Sequence, residues 1–272
     1  MTAVDVRAAE APGVAPAARA RDILAFEWAK LRSIRSNYVT ALVAMVVTLG
    51  ATVVVAHALA STRAPLPAGL FTPLTASFLG YAEYAVLPIS VLGVLQFTSE
   101  YSTGLIRTTF TAVPQRWAVL AGKVAVAGAV ALVAGEALAF ACFFLTQAIL
   151  SGRHRGLSLD MPGVPGAVLA GGFLVCACAL TALGLGAIIR HTAGAITATV
   201  AVIYGVAGLC FILPAPWKAE IGRFTMAFAA SQVLALHPQH SLFSPAASML
   251  VLVAWPAVTL LVAGLVLARR DA

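Results

Sequence analysis

The chain has 272 residues, 61% of them hydrophobic and only 10% charged, with a mean hydropathy of +0.97 and a formal net charge of +7. A soluble domain of this length does not carry such a composition, and the basic excess is not gathered into a globular region that could hold a nucleic-acid duplex. An integral membrane protein remains, and its positive charge reads as a topology signal.

Residues 1–19, MTAVDVRAAEAPGVAPAAR, are rich in Ala and Pro and lack the apolar core of a signal peptide. They are expected to form a disordered cytoplasmic tail. Residues 20–36, ARDILAFEWAKLRSIRS, follow a helical amphipathic pattern. At about 100° per residue Ile23, Leu24, Trp28, Leu31 and Ile34 share one broad arc, Asp22 and Ser33 lie opposite, and Lys30 and Arg32 flank it. Arg35 falls within the arc and has to snorkel. This helix is expected to lie along the membrane surface, with Trp28 at headgroup level and Lys30, Arg32 and Arg35 reaching anionic lipid. An ordinary juxtamembrane anchor is the other reading.

A helix crossing a hydrocarbon core of roughly 30 Å needs about 20 apolar residues. Six runs meet that length: Tyr38 to Ala60, Ala76 to Phe97, Trp117 to Leu150, Val168 to Ile189, Ala193 to Leu213 and Ala246 to Leu267. They are continuously apolar and lack the alternation of a membrane barrel strand, so the fold class is all-α, a polytopic membrane protein occupying residues 37–272. With the N-terminus in the cytoplasm, twelve of the seventeen Lys and Arg residues fall on the inner side, including Arg107, Arg116, Lys123 and Arg190. Arg63, Arg153, Arg155, Lys218 and Arg223 stay outside, which predicts both termini in the cytoplasm.

Between the second and third runs lies a polar, arginine-bearing interruption, residues 99–117. Its sequence from Glu100 leads into EYSTGLIRTTFTAVPQRWAVLAGK, ending at Lys123. Leu105, Ile106 and Phe110 share one helical side with Arg107 and Thr108 beside them, and Pro114 ends the short helix. A short helix across the mouth of a bundle can carry force from a soluble partner into the spans on either side. A solvated connector with positive-inside arginines is the plainer alternative. Near the other end of the chain, residues 214–244 include the apolar stretch Phe224 to Leu236, too short to cross and expected to be re-entrant or interfacial.

Two carboxylates fall inside predicted spans. Glu136 lies 13 residues past Lys123, about 20 Å along a helix. A carboxylate at that depth costs roughly 2.5 to 3.5 kcal/mol, so it must face protein or water. Glu83, beside Tyr81 and Tyr84, is expected nearer the outer end of the second span. Both are possible substrate-path residues, against the simpler role of an interhelical hydrogen bond. Gly122, Gly128, Gly135, Gly184 and Gly186 suit close helix packing. Pro88 and Pro256 are potential kinks.

Cys142, Cys176, Cys178 and Cys210 all fall within spans, and Cys176 and Cys178 point to different faces, which suggests neither a metal pair nor a disulfide. The histidines make no zinc spacing, and His237 and His240 fit an exposed loop. No catalytic residue and no metal site is predicted. The sequence lacks a phosphate-binding Gly-x-x-x-x-Gly-Lys-Ser/Thr loop and has no soluble region large enough for a nucleotide-binding domain.

Two motifs carry a resemblance: FEWAKLRSIRSNY at Phe26 to Tyr38, and EYSTGLIRTTFTAVPQRWAVLAGK at Glu100 to Lys123. With these in order around the first three spans, and RRDA at the C-terminus, the chain resembles the permease subunits of type-2 ATP-binding-cassette exporters, particularly the short forms common in actinobacteria. The resemblance implies that Glu27, Trp28, Lys30, Arg32 and Arg35 sit on a connecting helix at the membrane surface. It also implies that Glu100, Tyr101, Gly104, Arg107, Thr108, Pro114 and Arg116 form a cytoplasmic coupling segment that docks into a cleft on an ATPase subunit. ATP and Mg would then be bound by that partner and no cofactor by this chain. The permease would work as a homodimer or beside a related permease, exporting an amphipathic drug, antibiotic or lipid-like molecule across the bacterial cytoplasmic membrane by alternating access. The alternative is an autonomous proton-coupled transporter that uses Glu136.

Overall fold

The computed structural model describes residues 20–62, 73–152, 156–236 and 243–269. The N-terminal tail, Arg63, Arg153, Arg155, His237, His240 and the last three residues therefore lie outside the described residues. No strand occurs among the described residues. The helices are α1 (Ala20–Ser33), α2 (Arg35–Ser61), α3 (Pro73–Tyr84), α4 (Val86–Thr103), α5 (Leu105–Ala112), α6 (Arg116–Ser151) and α7 (Val164–Ile189). Then come α8 (Thr192–Val200), a π-helical turn at Ala201–Gly205, α9 (Val206–Cys210), α10 (Ala215–Gly222), α11 (Met226–Val233) and α12 (Pro245–Arg269).

Six helical stretches are long and apolar enough to cross a membrane: Asn37–Ser61, Leu74–Thr103, Arg116–Ser151, Val164–Ile189, Thr192–Cys210 and Pro245–Arg269. This fits a multi-pass membrane protein, with each stretch overlapping one of the six expected runs. The second is two helices. Its break falls at Ala85, three residues before Pro88, where the proline has no N–H to give the Tyr84 carbonyl and its ring crowds that oxygen. Pro256 has no such effect, since α12 runs through it without a break. The fifth stretch contains the π turn, which leaves room for the Tyr204 hydroxyl to donate to the Ala82 carbonyl at 2.7 Å.

At the centre stands α7, 72% of whose apolar window is buried, against 41% or less for the other five. It packs against α4, α6 and α12. Small residues allow the approach: a Cβ on Gly93 of α4 would stand 2.3 Å from the Ala179 carbonyl oxygen, and one on Gly186 would stand 2.8 Å from that of Val94. Gly135 meets Gly172 in the same way, and Gly184 meets Thr259 of α12. Gly128 makes only ordinary contact with Leu180. Tyr81, fully buried, sets its hydroxyl 2.8 Å from the Gly171 carbonyl oxygen and 3.1 Å from that of Gly135, joining α3, α6 and α7. The four cysteines are free and buried; Cys176 turns toward α6, its thiol 3.4 Å from the Gly128 carbonyl oxygen.

The stretch after the fifth apolar helix holds two short helices, α10 and α11, among the described residues. Thr225 accepts from the Phe228 N–H and caps α11, so the apolar residues from Phe224 onward divide between a turn and a short helix that follows α10. Residues 237–242 of that stretch lie outside the described residues.

Candidate functional site

The α1–α2 corner, the end of α4, α5 and the start of α6 meet at one end of the bundle. Gly104 adopts φ +74°, a left-handed conformation that costs glycine nothing, and this lets α5 turn away directly from α4. In α5 only Ile106 is buried; with the half-buried Phe110 it packs on Phe97, Leu120, Leu183 and Leu267 from four other helices. Leu105 is exposed, so the apolar side expected from the sequence is narrower than three residues. Arg107 and Thr108 of α5, and Pro114 just past its end, are exposed.

Glu100 is different. It is buried to 2% exposure at the end of α4, and its carboxylate pairs with both Lys123 of α6 and Lys30 of α1. Glu27 of α1, also 2% exposed, accepts from Lys123 Nζ at 3.0 Å and lies 3.8 Å from Lys30 Nζ. Lys123 is 1% exposed and its ammonium stands 5.2 Å from the centre of the Phe97 ring. Two carboxylates and two lysines thus form a quartet, three of its members buried and Lys30 half-buried, that fastens α1 to α4 and α6. Isolated burial of any one of these charges would cost several kcal/mol, so each depends on the others.

The quartet redefines the face by which α1 packs. Ile23 and Glu27 are its buried residues, and a Cβ on Gly122 of α6 would stand 2.5 Å from Ile23 Cγ2. Leu24 and Trp28, from the expected apolar arc, are exposed beside this strip. They present an apolar surface away from the rest of the bundle. Arg32 and Arg35 are exposed. Burial first, and then the charge of Lys123, push the Lys30 ammonium from 10.5 down to about 7, with Glu27 acting in the opposite sense.

Two aromatic–arginine contacts complete this end. The Arg190 guanidinium lies 5.0 Å from the centre of the Tyr101 ring, and Arg190 itself takes a left-handed φ of +61° where α7 turns into α8. Arg116 donates to the Leu267 carbonyl at 2.7 Å, satisfying the C-terminal end of α12, and stacks 5.3 Å from the Phe110 ring centre. Trp117 beside it fills the space left by Gly264, where a Cβ would come within 2.0 Å of the indole.

The two intramembrane carboxylates are not brought together. Glu136 is half-buried against Gly172 of α7, and its Oε2 is buried without a hydrogen-bond partner among the described residues. Glu83 is exposed and lines two cavities, one of about 600 Å³ with Tyr204 and Gln232 and one of about 380 Å³ with Val43 and Val47. Those two valines stand roughly 9 to 15 Å along α2 from Asn37. Glu83 thus borders cavities lined by α2 residues from Val39 to Val47 and at Val55.

Compared with protein-family models and with curated proteins, the chain matches none.

The quartet as a unit escapes sequence reasoning, which places Glu27, Lys30 and Glu100 on surfaces and counts Lys123 as one more positive-inside charge. A signal exists: Ile23, Glu27, Lys30 and Ile34 fall within about 60° of one another on a helix, a strip as coherent as the apolar one.

Proposed function

We propose that this chain is the permease subunit of a type-2 ATP-binding-cassette exporter, resident in the bacterial cytoplasmic membrane with both termini in the cytoplasm. It would move an amphipathic substrate outward, as a homodimer or beside a related permease, while a separate ATPase subunit binds ATP and Mg. The observation that carries this reading is α5, a two-turn helix between Gly104 and Pro114 that buries only Ile106 and exposes Arg107 and Thr108 at the end of the bundle that holds α1.

The quartet supports the mechanism. A partner that grips α5 moves the end of α4 and the start of α6, and the pairs of Glu100 and Lys123 with Glu27 and Lys30 carry that displacement into α1. Binding shifts the membrane part between two states only if the contacts on α5 differ between them. Glu83 is the favoured polar group of the substrate path. An exposed carboxylate within an apolar stretch is expensive in lipid, and two adjoining cavities offer it a polar or aqueous alternative.

A proton-coupled transporter using Glu136 is the second reading, favoured by the unpartnered buried oxygen of that residue. Efflux of a fluorescent amphiphile from energised native membranes separates the two. The exporter reading expects dependence on ATP and persistence after a protonophore; loss with the protonophore and indifference to ATP would transfer the role to Glu136.

A further inference from the structure

A third cavity, of about 390 Å³, lies between α2, α4 and α6 and belongs to neither the quartet nor the groove at Glu83. It forms because α6 offers alanines where larger side chains would close the gap: Ala127, Ala131, Ala134, Ala137 and Ala141 all line it. Its polar lining comes from Asn37 and Gln96, both at the end nearest α1. Asn37 already donates to the Leu31 carbonyl at 3.4 Å, and Gln96 is one turn before Glu100. From Asn37 to Leu49, the far end of the lining on α2, is about 18 Å of helix. One leaflet of a bilayer with a hydrocarbon core of roughly 30 Å is about 15 Å deep, so the cavity runs the length of a single leaflet.

We infer that this cavity holds one acyl chain of an anionic phospholipid from the leaflet that contains α1. The shape accounts for the chain, since the walls are apolar throughout their depth and polar only at the mouth. Charge accounts for the headgroup, because Arg32 and Arg35 are exposed at the α1–α2 corner beside that mouth. The volume falls in the range of built ligand sites. The lipid acts as a wedge that keeps α2 apart from α6, and it is held in place rather than exported. This assignment does not depend on the exporter reading.

The test uses the full chain in nanodiscs containing phosphatidylglycerol with a photoreactive group near the end of one acyl chain. Labelling is mapped by peptide, and retained lipid is counted by native mass spectrometry after detergent washing. The wild-type protein is expected to label at Leu49 and Leu138 and to keep a phosphatidylglycerol in preference to phosphatidylcholine. Ala134→Phe and Ala137→Phe, each filling the cavity at a position that is already exposed, should lose that labelling and the retained lipid. Val133→Phe, on the same helix but facing away, should lose neither. Labelling spread evenly over the outward faces, or unchanged in both alanine variants, would overturn the assignment, as would retention of either lipid without preference. ATPase binding and export play no part in either readout, so failure here leaves the proposed function standing.

Discussion

Lys123 of α6 donates to Glu27 of α1 at 3.0 Å, in a place where both side chains are almost wholly buried. That contact crosses 96 residues of sequence and makes α1 part of the bundle. Lys123→Ala leaves two buried carboxylates sharing Lys30 alone and is expected to destabilise the protein by about 3 to 5 kcal/mol. Thermal unfolding in detergent, followed by tryptophan fluorescence, measures this. The double variant Lys123→Met with Glu100→Gln removes charge from both sides and should recover part of the loss.

The depressed Lys30 ammonium gives a pH dependence with a definite sign. Unfolded Lys30 titrates near 10.5 and the folded group near 7, so between those values the unfolded chain binds more protons. Stability contributed by this residue therefore rises as pH increases through that window, and below the folded value its contribution is constant. The difference in Tm between wild type and Lys30→Met, measured across the window, should increase with pH in favour of the wild type.

Glycine contacts divide into two kinds that mutation separates. Gly93→Ala drives a Cβ toward the Ala179 backbone, which cannot give way without parting α4 from α7, and a cost of about 1 to 3 kcal/mol is expected. Gly264→Ala meets first the Trp117 indole, a side chain and not backbone. Its defect should be relieved by Trp117→Leu, whereas no single side-chain change should relieve Gly93→Ala. Unfolding midpoints of the two single variants and the Trp117 double variant check both statements.

How much of this was legible in the chain follows from the physics of each feature. Apolar run length identifies six crossing stretches directly, because hydrocarbon thickness sets a minimum that few other structures require. The break before Pro88 is equally local, since it arises from one missing N–H. The quartet is not local: Glu27, Lys30, Glu100 and Lys123 come from three helices, and nothing short of their packing tells a buried carboxylate from a solvated one. The extent of the second apolar helix was under-read for a related reason. Hydropathy ends the second run near Phe97, but the helix continues through the polar residues to Thr103 because Glu100 is neutralised by lysines from other helices.

Glu83 and Glu136 also make opposite predictions for transport. Glu83→Gln should slow export about tenfold, equivalent to about 1.4 kcal/mol, while protein yield and assembly stay normal. Glu136→Gln should alter the rate only if that residue lines the path; under the exporter reading favoured here it leaves the rate near wild type. Amphiphile efflux from vesicles matched for protein content compares the two.

The central claim rests on α5 as the grip for a separate ATPase, and co-purification addresses it directly. Tagged chain is extracted from its native membrane in mild detergent beside Arg107→Glu, which reverses an exposed charge on α5 without touching the quartet. Recovery of a nucleotide-binding subunit with the wild type, and its loss from the variant at equal yield, is the predicted result. A well-folded wild-type preparation that brings down no ATPase, or one whose ATPase is retained in full by Arg107→Glu, would contradict it.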